Sequence, residues 1–205
     1  MSYFLKPMRS SDRPYTGDRP YTCTLKRRDA LPKASLWKIQ SGFVRVVTWN
    51  DNGDVMPLGF WGGGSLVGGA LVTSEPCEIQ ALTTVVAERL SRLVTVPDDA
   101  FVAHSRQMAD LIQILHCRQV EERLLQVLCW LGLQLGQPVA GGVCLPFPIT
   151  HQELADAIAT TRVTVTRCLS QLETEGYLKW SRAEKVLFYD TLNHQASFRP
   201  AAQAS

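Results

Sequence analysis

The stretch that decides the fold is Ile149–Gly176, ITHQELADAIATTRVTVTRCLSQLETEG. Thr150 and Glu153 make a T-x-x-E capping box, which predicts a helix opening at His151. Leu154, Ala155 and Ile158 give that helix one apolar side. Ala159-Thr160-Thr161 interrupts it, and Thr161 can cap a second helix running to about Glu175, with Gly176 as a left-handed stop. Along the second helix Val165, Cys168, Leu169 and Leu172 share one face at 3/4 spacing. Arg162, Val163, Thr166, Arg167 and Ser170 gather on nearly the opposite face. An apolar stripe backed by arginine, threonine and one small apolar side chain suits a helix that reads base edges in a major groove. The competing reading is an ordinary surface helix with solvated arginines; two caps, a short turn and a glycine stop in agreement weigh against it. The expectation is a helix-turn-helix, with Thr161, Arg162, Val163, Thr164, Thr166, Arg167, Ser170 and His151 facing DNA.

Moving outward, Tyr177–Trp180, a turn at Ser181–Glu184 and Val186–Tyr189 read as a short hairpin. This is a wing with Lys179, Arg182 and Lys185 at or near its tip, so the unit is a winged helix. Val120–Leu135 is a strongly apolar helix ending at Gly136. Residues 136–148, GQPVAGGVCLPFP, read as a linker with one short strand. Asp98 to about Leu115 is a further helix, with Pro97 at its mouth and two aspartates favourable to the helix dipole. It carries Phe101, His104, Met108, Leu111 and Leu115 at 3/4 spacing and other apolar residues elsewhere, so it must bury two sides. The economical second partner is the same helix of another copy. His104 on that seam reads as a satisfied interface histidine, with a titrating switch as the alternative.

From Tyr21 to about Val96 the signals are those of short strands. Leu36–Ile39, Phe43–Trp49, the turn Asn50-Asp51-Asn52-Gly53, Val55–Phe60, Ile79–Thr84 and Val85–Val96 indicate a β-roll or barrel. Within the glycine-rich run Trp61–Gly69, Gly62-Gly63-Gly64 lacks the Lys-Ser/Thr of a phosphate loop and reads as a tight turn. Residues 1–20 hold a near-repeat, Asp12-Arg-Pro-Tyr-Thr16 and Asp18-Arg-Pro-Tyr-Thr22, and read as a mobile tail, with a basic arm on DNA as the alternative. The chain therefore divides into a poorly ordered arm (1–20), a roll of effector type (21–97), a dimerisation helix (98–119) and a winged helix (120–195). The class is α+β.

Net charge is only +2, and its distribution is more telling. Residues 1–45 hold ten Lys/Arg against three acids, residues 46–145 five against ten, and residues 146–205 six against six. Bulk charge does not argue for DNA at the helix-turn-helix; individual cations must carry that case. The six cysteines are scattered without C-x-x-C or His/Cys clustering, which excludes a zinc or disulfide framework and leaves no metal site to nominate. No apolar run spans a bilayer and the N-terminus has no secretory core, so a cytoplasmic protein is expected. No Ser/His/Asp order, phosphate loop or carboxylate pair nominates a catalytic residue.

A roll, a long helix and a C-terminal winged helix in that order resemble the Crp/Fnr family of bacterial transcription regulators. Leu36–Phe60, LWKIQSGFVRVVTWNDNGDVMPLGF, is similar to the family's first effector-domain hairpin, and TTRVTVTRCL at 160–169 looks very like the cyanobacterial nitrogen-control branch, NtcA. The resemblance covers about 21–190. It implies a homodimer on a palindromic DNA site, with RNA polymerase as a further partner. It makes Arg162 the guanine-reading arginine, Arg167 a second base- or phosphate-contacting arginine, and Val163 the position that separates subfamilies.

The departures concern the effector. The cyclic-nucleotide branch has a Gly-Glu pair and then an Arg-Ser or Arg-Thr, where this chain has Gly64-Ser65 (followed by Leu66) and Glu75-Pro76. Glutamate where a phosphate needs arginine repels the ligand, so cyclic AMP control is not expected and no cofactor is assigned. The Gly62–Gly69 turn could still offer backbone N–H groups to a small anion. The segment between Phe101 and Val120 is short for the family, and only Arg106 and Arg118 lie near the position where the nitrogen branch holds 2-oxoglutarate. The alternatives are therefore a regulator answering to such an anion, or a binding module without DNA reading. Cys77 lies roughly where a haem-binding branch has its thiolate, but it stands alone and reads as packing.

Overall fold

A computed structural model describes residues 21–91, 94–181 and 184–194; the expected arm at 1–20 lies outside them. The roll begins with β1 (Tyr21–Leu25), β2 (Ala30–Leu31), β3 (Leu36–Ser41), β4 (Val44–Trp49), β5 (Val55–Trp61), β6 (Leu66–Gly68), β7 (Cys77–Ala81) and β8 (Val85–Arg89). Two four-stranded antiparallel sheets result, in the orders β1-β8-β3-β6 and β2-β7-β4-β5. Alternation decides what they bury: Trp37 and Ile39 on β3, Ile79 and Ala81 on β7, and Val85 and Ala87 on β8 point inward, joined by Val44, Val46 and Val67. The Gly62-Gly63-Gly64 run does turn, Ser65 N donating back to Gly62 O at 3.3 Å, and it leads straight into β6, where Leu66–Gly68 pairs with Leu36–Lys38. The last strand stops at Arg89, short of the expected Val96.

Then follow α1 (Asp98–His116), α2 (Val120–Leu135), β9 (Gln137–Val139), β10 (Gly142–Cys144), α3 (His151–Ala157), α4 (Arg162–Thr174), β11 (Leu178–Trp180), β12 (Lys185–Phe188) and α5 (Tyr189–His194). Residues 137–144 are not a linker. Gly142–Cys144 pairs with Val186–Phe188, so the wing sheet has four strands in the order β11-β12-β10-β9. Pro138 is tolerated because β9 is the edge.

A second core runs without a break from the roll into the winged helix. Phe60 and Leu82 of the roll, Leu111 and Ile114 of α1, Leu124, Leu128 and Leu131 of α2, and Leu154, Val165 and Leu169 of the helix-turn-helix belong to it. Two buried polar links pin α1 in place. The Gln107 amide donates from Nε2 to Phe60 O at 2.8 Å and accepts from Phe60 N at 2.7 Å, satisfying the free edge of β5 as another strand would. That approach requires Gly59, where a Cβ would stand 2.5 Å from Gln107 Oε1 and 2.3 Å from the Trp61 ring. Trp130 Nε1 donates to Asp110 Oδ2 at 2.9 Å, joining α2 to α1.

The burial of α1 corrects the expected seam. Leu111 and His104 turn into their own chain: Leu111 sits in the second core, while His104 stacks on Trp61 at 4.4 Å and donates from Nε2 to Leu66 O at 2.9 Å. Phe101, Met108 and Leu115 remain exposed, and Ile112 and Val102 join them. A 3/4 repeat defines a stripe about 100° wide, but this helix has two adjoining stripes, and the expected five were drawn from both.

Candidate nucleic-acid interface

Local chemistry positions α3 and α4. Glu153 N donates to Thr150 Oγ1 at 3.1 Å and Thr150 N to Glu153 Oε2 at 2.6 Å, completing the capping box. Ala159 turns the chain in the left-handed region, φ 50°. Thr161 then caps α4, its Oγ1 accepting from Thr164 N at 3.1 Å. Gly176, φ 80°, ends the segment after α4. Val165, Cys168, Leu169 and Leu172 are buried, which forces the other face outward.

That outward face carries Arg162, Val163, Thr166, Arg167 and Ser170, all exposed, with Thr164 and Thr161 at its start. Val163 is 78% exposed, an unusual position for a valine with nothing to cover it. Thr166 Oγ1 donates to Arg162 O at 3.0 Å and Ser170 Oγ to Thr166 O at 3.1 Å, so these hydroxyl protons are spent on the helix. Each must leave its carbonyl to donate to a phosphate. His151 holds Thr166 Oγ1 from Nδ1 at 2.8 Å, and since the hydroxyl proton is engaged, the imidazole donates. Burial, and secondarily the charge of Arg162, depress the His151 pKa; it buttresses α4 as a neutral group.

The wing is tied to α4 by Trp180 N donating to Glu173 Oε1 at 3.0 Å. Lys179 faces Glu184 at 2.6 Å and is already neutralised at the surface. Lys185 Nζ lies 5.8 Å from the Trp180 ring centroid, and its pKa is lowered by burial and then by Arg27. Arg182 lies outside the described residues. Between α4, the start of α3 and the wing runs a groove of about 440 Å³, whose lining includes His151, Thr166, Ser170, Glu173, Trp180, Lys185 and Arg27. Sequence reading did not find Arg27; the run Lys26-Arg27-Arg28 was the available signal.

The expected effector residues do not converge. Gly64 N donates to Ile39 O at 2.7 Å, Ser65 N to Gly62 O at 3.3 Å and Gly69 N to Lys33 O at 2.8 Å, so these three donors are taken within the roll and are not free for an anion. Glu75 pairs with Lys33 at the surface. Arg106 and Arg118 are exposed on α1 and in the α1–α2 turn. Between roll and α1 remains a cavity of about 100 Å³ lined by Val46, Leu58, Trp61, Leu71, His104 and Met108 among others, with no lysine or arginine in its wall among the described residues. Burial depresses the His104 pKa, leaving this wall uncharged. Among the described residues no group of three His, Cys, Asp or Glu could hold a metal, and no helix is long and apolar enough to cross a membrane.

Residues 122–191 match the Crp-like helix-turn-helix domain. The chain is 35% identical over 179 residues to the regulatory protein CysR of Synechococcus elongatus, covering 84% of this chain and 87% of that one. A global nitrogen regulator of Synechocystis is 39% identical over 80 residues, 39% of this chain and 35% of that one. Among solved structures, FixK2 from Bradyrhizobium japonicum superimposes with a TM-score of 0.71 at 18% identity, over 89% of this chain and 98% of that one. A CRP/FNR-family regulator from Thermus thermophilus gives 0.67 at 23%, over 87% and 97%. At these identities the two structures speak to the fold alone.

Proposed function

Because the chain belongs to the Crp/Fnr family of transcription regulators, we propose that it is a homodimeric, sequence-specific DNA-binding regulator that reads a palindromic site without cyclic AMP. The observation that carries this reading is the exposed face of α4. Arg162 and Arg167 flank a bare Val163 on a helix whose opposite side is fully packed. Arginine pairs in two-pronged fashion with guanine O6 and N7, and valine packs on a thymine methyl.

Dimerisation rests on α1. Phe101, Met108, Ile112 and Leu115 are all exposed. At about 100° per residue they fall within about 60° of one another, a continuous apolar stripe on a helix whose other side is packed on the roll. A second copy of the helix covers such a stripe and sets two reading helices about 34 Å apart. Independence from cyclic AMP rests on the roll. A cavity of about 100 Å³ is well below the roughly 300–1,000 Å³ of ordinary ligand sites, and no cation among the described residues lines it. The same lack speaks against a 2-oxoglutarate-like anion there. No catalytic role and no cofactor enter the reading; RNA polymerase enters only through the family, and DNA places the protein in the cytoplasm.

Selection of duplexes from a random pool, with and without cyclic AMP, tests this. The expected result is one inverted repeat, enriched equally in both. No enrichment, or enrichment only with the nucleotide, contradicts it.

A further inference from the structure

The groove beside the reading helix has one wall that the winged helix does not supply. Arg27 belongs to the turn between β1 and β2 of the roll, yet it lines the same groove as His151, Thr166, Ser170 and Lys185. We propose that the roll itself grips DNA, Arg27 donating to a backbone phosphate of the duplex that α4 reads. This rests on the DNA reading above and adds to it a contact from outside the DNA-binding domain.

Three observations carry it. The guanidinium is held in place but its donors are under-used. Nη2 reaches Glu153 Oε2 at 3.3 Å and Oε1 at 3.4 Å, both long, and Nε is buried without a partner. Among the described residues Nη1 has no partner, so a charge-assisted bond to a phosphate oxygen is open to it. Glu153 is also shared, because its Oε2 already accepts from Thr150 N at 2.6 Å.

Second, the turn is stiff. Arg28 N donates to Ala81 O at 2.8 Å, Asp29 N to Lys26 O at 3.0 Å, and Lys26 N to Asp29 Oδ2 at 2.8 Å. Arg27 is presented by fixed backbone, with Lys26 and Arg28 exposed on either side of it.

Third, the charges in the groove suit an anion. Its lining holds Arg27 and Lys185 against Glu173, whose carboxylate is occupied by Trp180 N. Arg27 is close enough to Lys185 to disfavour the lysine's protonation, a repulsion that a phosphate between them would relieve. Such a contact reads no bases. It adds a sequence-independent, salt-dependent contribution and fixes the roll's position on the duplex.

The test uses the full chain on two duplexes, one selected from a random pool and one scrambled, titrated across salt. Arg27→Ala should weaken both duplexes several-fold and make the slope of log K against log salt shallower by about one. Arg27→Lys should restore the slope. Glu153→Gln breaks the same ion pair while keeping the capping box, and should leave the slope unchanged, which separates loss of a DNA contact from loss of packing between the roll and α3. A wild-type slope in Arg27→Ala, or an effect confined to the selected duplex, overturns the proposal. If that happens while Arg162→Ala still relaxes base preference, only the roll contact falls. If Arg162→Ala also changes nothing, the DNA reading falls with it.

Discussion

Leu111 and Ile112 are neighbours in the chain, yet α1 turns them about 100° apart, so one substitution made at each tests two different contacts. Leu111 is 4% exposed and shares a core with Phe60, Ile114, Leu124 and Trp130. Truncating a buried leucine costs about 2–5 kcal/mol, and a carboxylate left there without a partner adds several more. The sum approaches the whole stability of a domain, about 5–15 kcal/mol. Leu111→Asp should therefore lose its cooperative thermal transition. Ile112 is 57% exposed, so Ile112→Asp in an isolated chain should change stability by no more than about 0.5 kcal/mol. In a dimer the same change forfeits the remaining half of an isoleucine's burial, about 1 kcal/mol per copy, and sets two carboxylates against each other near the two-fold axis. Circular dichroism and light scattering on both variants decide the matter. Ile112→Asp should be folded, monomeric and unable to hold a palindrome. A folded Leu111→Asp with an unchanged thermal midpoint, or a dimeric Ile112→Asp, refutes the assignment of the two faces.

Two further outcomes concern buried titrating groups. Burial holds the His104 pKa below its ordinary value near 6.5 despite the bond to Leu66 O, and His151 is depressed likewise. A depressed folded value means that protons bind the unfolded chain preferentially, so stability is complete above about pH 6.5 and declines as pH falls through the folded values. Denaturant titrations should show that decline, and His104→Gln should flatten it; an acid limb identical in the variant removes His104 as a cause. The Cys129 thiol is pushed up to about 12 by burial. Mass spectrometry after alkylation of the native protein should find it unmodified until denaturant is added, whereas labelling at the same rate as the half-buried Cys117 contradicts its burial.

The helix-turn-helix was legible because its signals are local. Thr150 and Glu153, Thr161 and Gly176 act within four residues of the ends they define. The roll's strands were legible for the same reason, through alternation and the Asn50–Gly53 turn, with their ends less certain. What escaped depends on contacts distant in sequence. Spacing showed that α1 has more apolar surface than one neighbour can cover, but it could not assign His104 and Leu111 to the roll and Phe101, Met108 and Leu115 to the outside. The hairpin of β9 and β10 has strands of three residues, with a proline in one and a glycine in the other, and exists through its pairing with β12. The donors of Gly64, Ser65 and Gly69 looked available because sequence does not show which carbonyls fold back onto them. Arg27 meets Glu153 across 126 residues, a distance no motif bridges.

The central claim is that α4 reads DNA through Arg162, and the most direct test is affinity for the selected duplex and for single-base variants of it, with wild type and Arg162→Ala. Wild type should lose about tenfold or more when one guanine in each half-site is replaced, the loss expected of a two-pronged arginine contact worth about 1–3 kcal/mol. Arg162→Ala should bind the selected duplex more weakly by a similar factor and no longer distinguish that base. An Arg162→Ala protein with wild-type affinity and unchanged preference at every position would contradict the account.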